Sequence, residues 1–432
     1  MRIPVDPLMA SRSMEGPVGD GIPVAGPAHG LRSCAEPLAA AHDVALLDLD
    51  GVVYVGTRAV PHAAESLDSA LREHGLRSVF VTNNAARPPA VVAEHLVELG
   101  IRAEPGDVVT SAQAGARMLA DRLAHGARVL AIGGPGVAEA LLERGLTPVA
   151  SVDDGAAAVM QGYGPEVGWR QLAEGSLAID RGLPWVATNL DRTIPTARGR
   201  VLGNGSMVAA LRHATGVTPM VAGKPEPPLM VESVERSGAH RPIVVGDRLD
   251  TDIEGAARSQ IPSLLVFTGV TDWQDLLGVE SVHRPTFLGR DLRALLDGSP
   301  VVEVTVQPDH VVVRCGEASV RVPVERSDPE GRDPDRAPDA AATGDSSPAG
   351  AGAGPTWWIP ADVLDIGLGS DDADQDLDLV LGPGPDHDPD RGASLGPDDD
   401  LDMVRAVVAA SWAISDAGFT IVGPADVHAA AG

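Results

Sequence analysis

The sequence predicts an α/β protein whose core is a Rossmann-like, doubly wound parallel sheet. Three observations predict it. From Asp43 to about Leu296, short apolar runs alternate with amphipathic segments of helix length, the pattern of βαβ units. Several runs stop abruptly at polar residues, as buried parallel strands do at the edge where ligands collect. The composition is 44% hydrophobic but only 3% aromatic, which permits a large core made mostly of Ala, Val and Leu.

The elements follow in order. Residues 1–42 are rich in Pro, Gly and Ala and lack a basic region followed by an apolar one. They are expected to be a disordered extension and not a secretory signal. Val44–Leu49 reads as a strand, Ala63–Glu73 as a helix and Ser78–Thr82 as a strand. Pro88–Leu99 reads as a helix opened by Pro, with Val92, Leu96 and Leu99 on one face. Further strands are expected at Arg128–Ile132, Ala156–Gln161, Trp185–Thr188, Ile243–Val245 and Ser263–Phe267. Between the third and fourth strands, Gly133-Gly134-Pro135-Gly136 lacks the full spacing of a dinucleotide fingerprint and reads as a strand-to-helix turn.

After Pro300 the pattern changes. Val301–Val306 and His310–Val313 alternate like a hairpin around Pro308-Asp309, and Ala318–Val324 adds a strand, giving a small β segment over residues 298–325. Residues 326–402 hold 20 Asp and Glu against 4 Arg and are rich in Pro, Gly and Asp, so an acidic, disordered linker is expected. Within 403–432, Val404, Val407, Val408 and Trp412 have helical spacing, and a terminal helix that docks on a neighbour is expected. The extension is therefore a small β/α unit with disordered acidic segments.

The net charge of −28 argues against nucleic acid and anionic membranes as partners. No run approaches the length of a membrane span. Cys34 and Cys315 lie far apart and read as free thiols in a reducing cytoplasm.

Four apolar runs end in residues suited to one chemistry. The first ends in Asp48-Leu49-Asp50-Gly51 and the second in Thr82-Asn83-Asn84. Gly223-Lys224-Pro225 follows Pro219-Met220-Val221, and the last run ends in Gly246-Asp247, with Thr251-Asp252 after it. Singly, each piece also fits turn, loop or helix-cap chemistry. Jointly, at strand ends that converge on one edge, they suit phosphoryl transfer, which needs positioning and charge stabilisation. Asp48 would attack phosphorus. Asp50 would protonate the leaving oxygen and then activate water. Thr82 and the Asn83 amide would bind phosphoryl oxygens, and Lys224 would neutralise charge. Asp247 would complete a Mg²⁺ site with Asp48 and the Asp50 main-chain carbonyl, and Asp252 would stand behind, orienting Lys224 or a metal-bound water.

Asp48-Leu49-Asp50-Gly51-Val52, Val81-Thr82-Asn83-Asn84, Gly223-Lys224-Pro225 and Gly246-Asp247-Arg248-Leu249-Asp250-Thr251-Asp252 resemble the four motifs of the haloacid dehalogenase superfamily. More narrowly, they look like its NagD / p-nitrophenyl-phosphatase branch. The resemblance covers about Asp43 to Leu296. It implies a core at 43–110 and 217–297 with an α/β cap inserted at 111–216. Thr188-Asn189-Leu190-Asp191, Pro195 and Gly203-Asn204-Gly205-Ser206 resemble the branch's cap signature, which implies that the loop Asp191–Thr196 leans over the site. Arg192 is then a candidate for substrate contact, or equally a solvent-facing Arg. Asn83 and Asn84 are candidates on the core side.

The resemblance implies a Mg²⁺-dependent phosphatase for a small phosphorylated metabolite. The cap residues look most like those of actinobacterial glycerol-3-phosphate phosphatases, which favours glycerol 3-phosphate. Sugar phosphates, phosphoglycolate and nucleoside monophosphates are alternatives. So are a phosphotransferase on the same site and a non-enzymatic phospho-acceptor or partner-binding protein. Self-association through the cap or the C-terminal region is a further expectation.

Overall fold

The strand Val44–Leu47 is buried at all four positions. Its side chains alternate between two apolar clusters, Ala45 and Leu47 facing one and Val44 and Leu46 the other. A strand covered on both faces needs such an uninterrupted apolar run. In this computed structural model it sits inside a six-stranded sheet ordered Phe287–Gly289, Ser263–Val266, Pro242–Gly246, Val44–Leu47, Arg77–Thr82, Val108–Thr110. All pairings are parallel, with Leu47 opposite both Val245 and Phe80. The chain runs outward from Val44–Leu47 in one direction and later in the other. The strand order therefore reverses beside it, where open α/β sheets bind ligands.

The structure describes residues 30–196, 198–307, 310–316, 318–326, 365–368, 401–416 and 419–421. Of the expected disordered extension 1–42, residues 1–29 lie outside them, as does most of the acidic linker. Contrary to expectation, Leu38–Ala41 forms a short helix with Leu38 and Ala39 buried against the core, and Asp365–Leu368 of the linker forms a strand. Helices Ala63–His74 and Pro89–Glu98 bury Leu67, Val92 and Leu96 on one face of the sheet. Helices Ser111–Ala120 and Pro227–Ser237 cover the other with Ala112, Leu119 and Leu229.

A second parallel sheet is ordered Met220–Val221, Trp185–Ala187, Ala158–Gln161, Arg128–Ile132, Thr147–Val149. This differs from the expected division at residue 217. Met220 pairs with Val186 and Val221 with Ala187, so the run before Lys224 belongs to the inserted sheet and not to the core. Nor does the insertion have a core wholly its own. Leu46, Val79 and Val109 of the first sheet share one apolar cluster with Val129, Met160 and Val186 of the second, across helix Ser111–Ala120. Beside this contact, Glu232 of the core is fully buried and receives Arg117, Arg144 and Arg236, Arg144 coming from the inserted unit.

At the C-terminus, Val302–Val306, His310–Cys315 and Ala318–Arg326 form an antiparallel meander. Asp365–Leu368 and Phe419–Ile421 both pair with its third strand. Helix Leu401–Asp416 lies across it and buries Ala406, Val407 and Ala410 against Val311, Val313 and Val320. The expected terminal helix thus forms, and its opposite face docks on the core. Among the described residues no helix is long and apolar enough to cross a membrane.

Candidate active site

Asp48 emerges from the central strand with its N–H held by the Val245 carbonyl at 2.9 Å. Three residues on, Gly51 has φ +89°, and a Cβ there would overlap the Asp247 carboxylate. Only glycine serves both demands, the left-handed backbone and the close approach.

Lys224 reaches this edge from the loop that leaves the second sheet. Its buried ammonium meets Asp48 Oδ1 at 2.5 Å, Asp252 Oδ1 at 2.7 Å and the Val81 carbonyl at 3.3 Å. All three ammonium donors therefore find acceptors. Asp247 is fully buried. Its Oδ2 accepts the Val270 N–H at 2.7 Å, while its Oδ1 has no hydrogen-bond partner among the described residues. One oxygen from each of Asp48, Asp247 and Asp252 lies within 4.8 Å of the other two.

Three carboxylates around one ammonium leave an excess of negative charge in a dry place. Burial, then Asp252 and Asp48, push the Asp247 carboxyl up to about 8. Burial pushes Asp252 up to about 6 against the pull of Lys224. Burial also raises Asp48, with Lys224 opposing and Asp50 adding to the rise. For Lys224 burial acts downward, but Asp252 and Asp48 outweigh it and hold the ammonium above its ordinary range. Hard oxygen donors, the orphaned Asp247 Oδ1 and surplus negative charge together fit a divalent cation of the Mg²⁺ type.

Asp50 is exposed. Desolvation raises its carboxyl, while Arg87, then Lys224 and His95, pull it down. Arg87, His95 and Tyr54 form surroundings that motif reading missed. Tyr54 packs edge-on against His95 at 5.3 Å, and its carbonyl accepts the Gly51 N–H at 2.8 Å. The apolar continuation Val52-Val53-Tyr54 was the only trace of Tyr54 in the sequence.

Thr82 is buried at the adjacent strand end, where its Oγ1 accepts the Asn84 N–H at 3.0 Å. The side chains of the two asparagines are engaged within the protein. Asn84 uses its side chain to accept the Ala86 N–H, closing a turn. The Asn83 side chain binds the backbone of Lys224 twice, accepting its N–H at 2.8 Å and donating to its carbonyl at 3.1 Å. The Asn83 carbonyl accepts from Ser111 Oγ at 2.6 Å and Asn189 Nδ2 at 2.7 Å. Asn83 is thus a junction between the core, the lysine loop and the inserted sheet.

Of the two expectations for Arg192, the structure shows the solvent-facing one. Its side chain is exposed, and its carbonyl accepts from Gly203 N–H and Ser206 Oγ. The residue that reaches the site is its neighbour Asp191, whose Oδ1 lies 3.4 Å from Asn83 Nδ2. Burial raises the Asp191 carboxyl, with Arg248 and then Asn83 and Lys224 opposing. Asn189 Oδ1 accepts the Asp191 N–H, and Cβ atoms at Gly203 and Gly205 would strike the backbone of Leu190 and Asp191. The turn at Gly133–Gly136 has a comparable use: Gly136 N–H donates to the Ala86 carbonyl, seating the second sheet on the loop that carries Arg87.

A doubly wound sheet bearing this Asp, Thr, Lys and Asp order at its edge defines a class of phosphoryl-transfer hydrolases. A family model described as haloacid dehalogenase-like hydrolase matches residues 45–147, and a second, described as HAD-hydrolase-like, matches 221–295. A D-glycerol 3-phosphate phosphatase of Mycobacterium tuberculosis is 51% identical over 271 residues, 63% of this chain and 76% of that protein. An acid sugar phosphatase of Staphylococcus haemolyticus is 36% identical over 58% of this chain and 94% of its own length. The solved structure of a glycerol phosphate phosphatase from Mycobacterium tuberculosis in complex with magnesium is similar with a TM-score of 0.60. It is 47% identical and covers 65% of this chain and 87% of that one. The chain belongs to the haloacid dehalogenase-like hydrolases.

Proposed function

We propose that this hydrolase is a Mg²⁺-dependent phosphatase that cleaves glycerol 3-phosphate through an aspartyl-phosphate on Asp48. The observation that carries the reading is the buried contact of Lys224 with Asp48 and Asp252, beside an Asp247 with one oxygen unpartnered. Asp48 attacks phosphorus while Lys224 offsets the charge gathering on the phosphoryl oxygens. Asp50, on the exposed side of the pair, protonates the departing alcohol and then takes a proton from the water that hydrolyses the acyl phosphate. The Thr82 hydroxyl donates to a phosphoryl oxygen. Asp48, Asp247 and the Asp50 carbonyl would hold Mg²⁺, with Asp252 behind them. Bound there, the cation supplies charge neutralisation and orientation to the phosphoryl group.

Asp191, and not Arg192, is the residue we assign to the leaving group. A carboxylate held in the loop of the inserted sheet suits the hydroxyls of glycerol. It would suit a sugar phosphate on the same grounds, and the similarity to an acid sugar phosphatase keeps that as the second reading. The proposal extends to a cytoplasmic enzyme without a nucleic-acid partner, self-associating through the cap or the C-terminal region.

Turnover of a panel of phosphate esters, with and without chelator, tests the reading. Glycerol 3-phosphate is expected to give the highest kcat/KM, and the chelator to stop all turnover. Turnover that survives the chelator would overturn the metal assignment, and a better ester would replace the substrate.

A further inference from the structure

Helix Leu401–Asp416 lies beyond the residues that the two family models match, which end at 295. One of its faces belongs to the C-terminal sheet. The other carries Val404, Val408 and Trp412, at the i, i+4, i+8 spacing of a helix stripe. These pack on Ile253, Phe267 and Leu276 of the core. Trp412 is buried, and its Nε1–H donates to the Leu276 carbonyl at 2.8 Å. Ser411 Oγ accepts the Gly278 N–H at 3.1 Å. Arg284 stacks on the Trp412 ring at 5.2 Å and pairs with Asp416 at 2.7 Å.

The core segment gripped in this way leads to the active site. It begins after the strand Ser263–Val266 and crosses the edge where Asp48 and Asp247 stand. Thr268 Oγ1 donates to the Gly51 carbonyl at 2.5 Å. A Cβ at Gly269 would overlap the Asp247 carboxylate. Val270 N–H donates to Asp247 Oδ2 at 2.7 Å and Thr271 N–H to the Asp247 carbonyl at 3.2 Å. On the other side, Ile253 follows Asp252 directly in sequence. The helix therefore shares one apolar cluster with Ile253, the residue after Asp252, and with Phe267 and Leu276, which flank the loop around Asp247.

We propose that the C-terminal helix is a positioning element of the metal site, with Trp412 and Ser411 fixing the loop 267–278 that aims the Asp247 carboxylate. The proposal rests on the reading of Asp247 as a metal ligand. Groups that hold a metal ligand from behind tune its affinity without touching the ion. The arrangement is an addition to the family's core: the Staphylococcus haemolyticus relative is matched over 94% of its own length by 58% of this chain.

The test uses full-length protein and two readouts. Mg²⁺ affinity is measured by calorimetric titration, and hydrogen exchange is followed at the Val270 and Thr271 amides. Trp412→Ala is expected to weaken Mg²⁺ binding about tenfold and to speed exchange at both amides. Trp412→Phe, which keeps most of the packing and loses the N–H bond, is expected to fall between it and the wild type. Leu67→Ala, a core truncation under helix Ala63–His74, is the control for lost stability and is expected to change neither readout.

If Trp412→Ala lowers the melting temperature as Leu67→Ala does but keeps wild-type Mg²⁺ affinity and wild-type exchange, the helix only stabilises the fold and the proposal is overturned. Should Trp412→Ala not fold, Ser411→Ala decides in the same way through the Gly278 bond alone. A wild-type protein that binds no Mg²⁺, or an Asp247→Asn variant that binds it as the wild type does, sinks the reading of the metal site itself and this proposal with it.

Discussion

The core sheet and the inserted sheet are both parallel and share one apolar cluster, yet they build their parts of the site by different means. The core sheet delivers side chains. Asp48, Thr82 and Asp247 stand at the ends of adjacent strands, so each is placed by a buried apolar run of a few residues. The inserted sheet delivers loops. Lys224 and Asp191 are brought in by backbone, and what fixes that backbone is a chain of amides. Asn204 Nδ2 donates to the Asn189 carbonyl at 2.8 Å, Asn189 to Asn83, and Asn83 to Lys224. The shared cluster and the buried Glu232 further tie the insertion to the core. Chemistry placed by strand ends is local in sequence. Specificity placed by loops depends on groups distant in sequence that meet only in the fold.

The contrast can be broken most forcefully at Lys224, where the two sheets meet. Lys224→Met leaves Asp48 and Asp252 without their shared cation. Turnover is expected to fall by at least about 100-fold, checked by kcat on saturating substrate. A small loss would mean that the lysine loop is only structural.

Glu232 tests the join away from the chemistry. Glu232→Ala strands Arg117, Arg144 and Arg236 around a buried gap, and should destabilise the fold by about 3 kcal/mol. The readout is denaturant unfolding, with kcat of the folded enzyme little changed. An unchanged midpoint would show that apolar packing alone carries the join.

Asp191 sharpens the division of labour. Asp191→Asn is expected to raise KM for glycerol 3-phosphate about tenfold through one weakened charged hydrogen bond. KM for p-nitrophenyl phosphate, whose leaving group has no aliphatic hydroxyl, should hardly move. Equal effects on both esters would return Asp191 to a structural role.

The smallest effect expected concerns pH. In metal-free protein Asp247 and Asp252 have carboxyls raised to about 8 and about 6, above the ordinary carboxylate value. Folding therefore favours their protonated forms. That contribution is full at acid pH and is lost as pH rises through 6 and then 8. The melting temperature of chelated enzyme should drop modestly over that window. Mg²⁺, which competes with those protons, should restore more stability at pH 8 than at pH 6. A flat or reversed trend would contradict the crowding of carboxylates.

This contrast also explains what the sequence made legible. Asp48, Thr82, Lys224, Asp247 and Asp252 were readable because apolar runs and turn residues mark each strand end. Four of the six strands of the core sheet were readable by the same periodicity, whereas the edge strands Val108–Thr110 and Phe287–Gly289, three residues each, are too short to show it. Arg192 was named because the resemblance places the loop Asp191–Thr196 over the site. Which of two neighbours turns inward, however, is set by the Asn189 turn and by the close approach of Gly203 and Gly205. That the Asn83 side chain ties down the lysine loop was not readable, because an amide's bonds to the distant Lys224 backbone leave no local pattern. The two-residue strand Met220–Val221 is too short for its run to say which sheet it joins. The docking of the C-terminal helix was readable from its stripe, but not its target near Asp247.

The central claim is that Asp48 carries the phosphoryl group. Acid quenching during turnover of glycerol 3-phosphate, followed by peptide mass spectrometry, tests it directly. A phosphoryl adduct is expected on the peptide bearing Asp48, and it should disappear, together with turnover, in Asp48→Asn. An adduct on another residue, or an Asp48→Asn enzyme that still turns over, would contradict the claim.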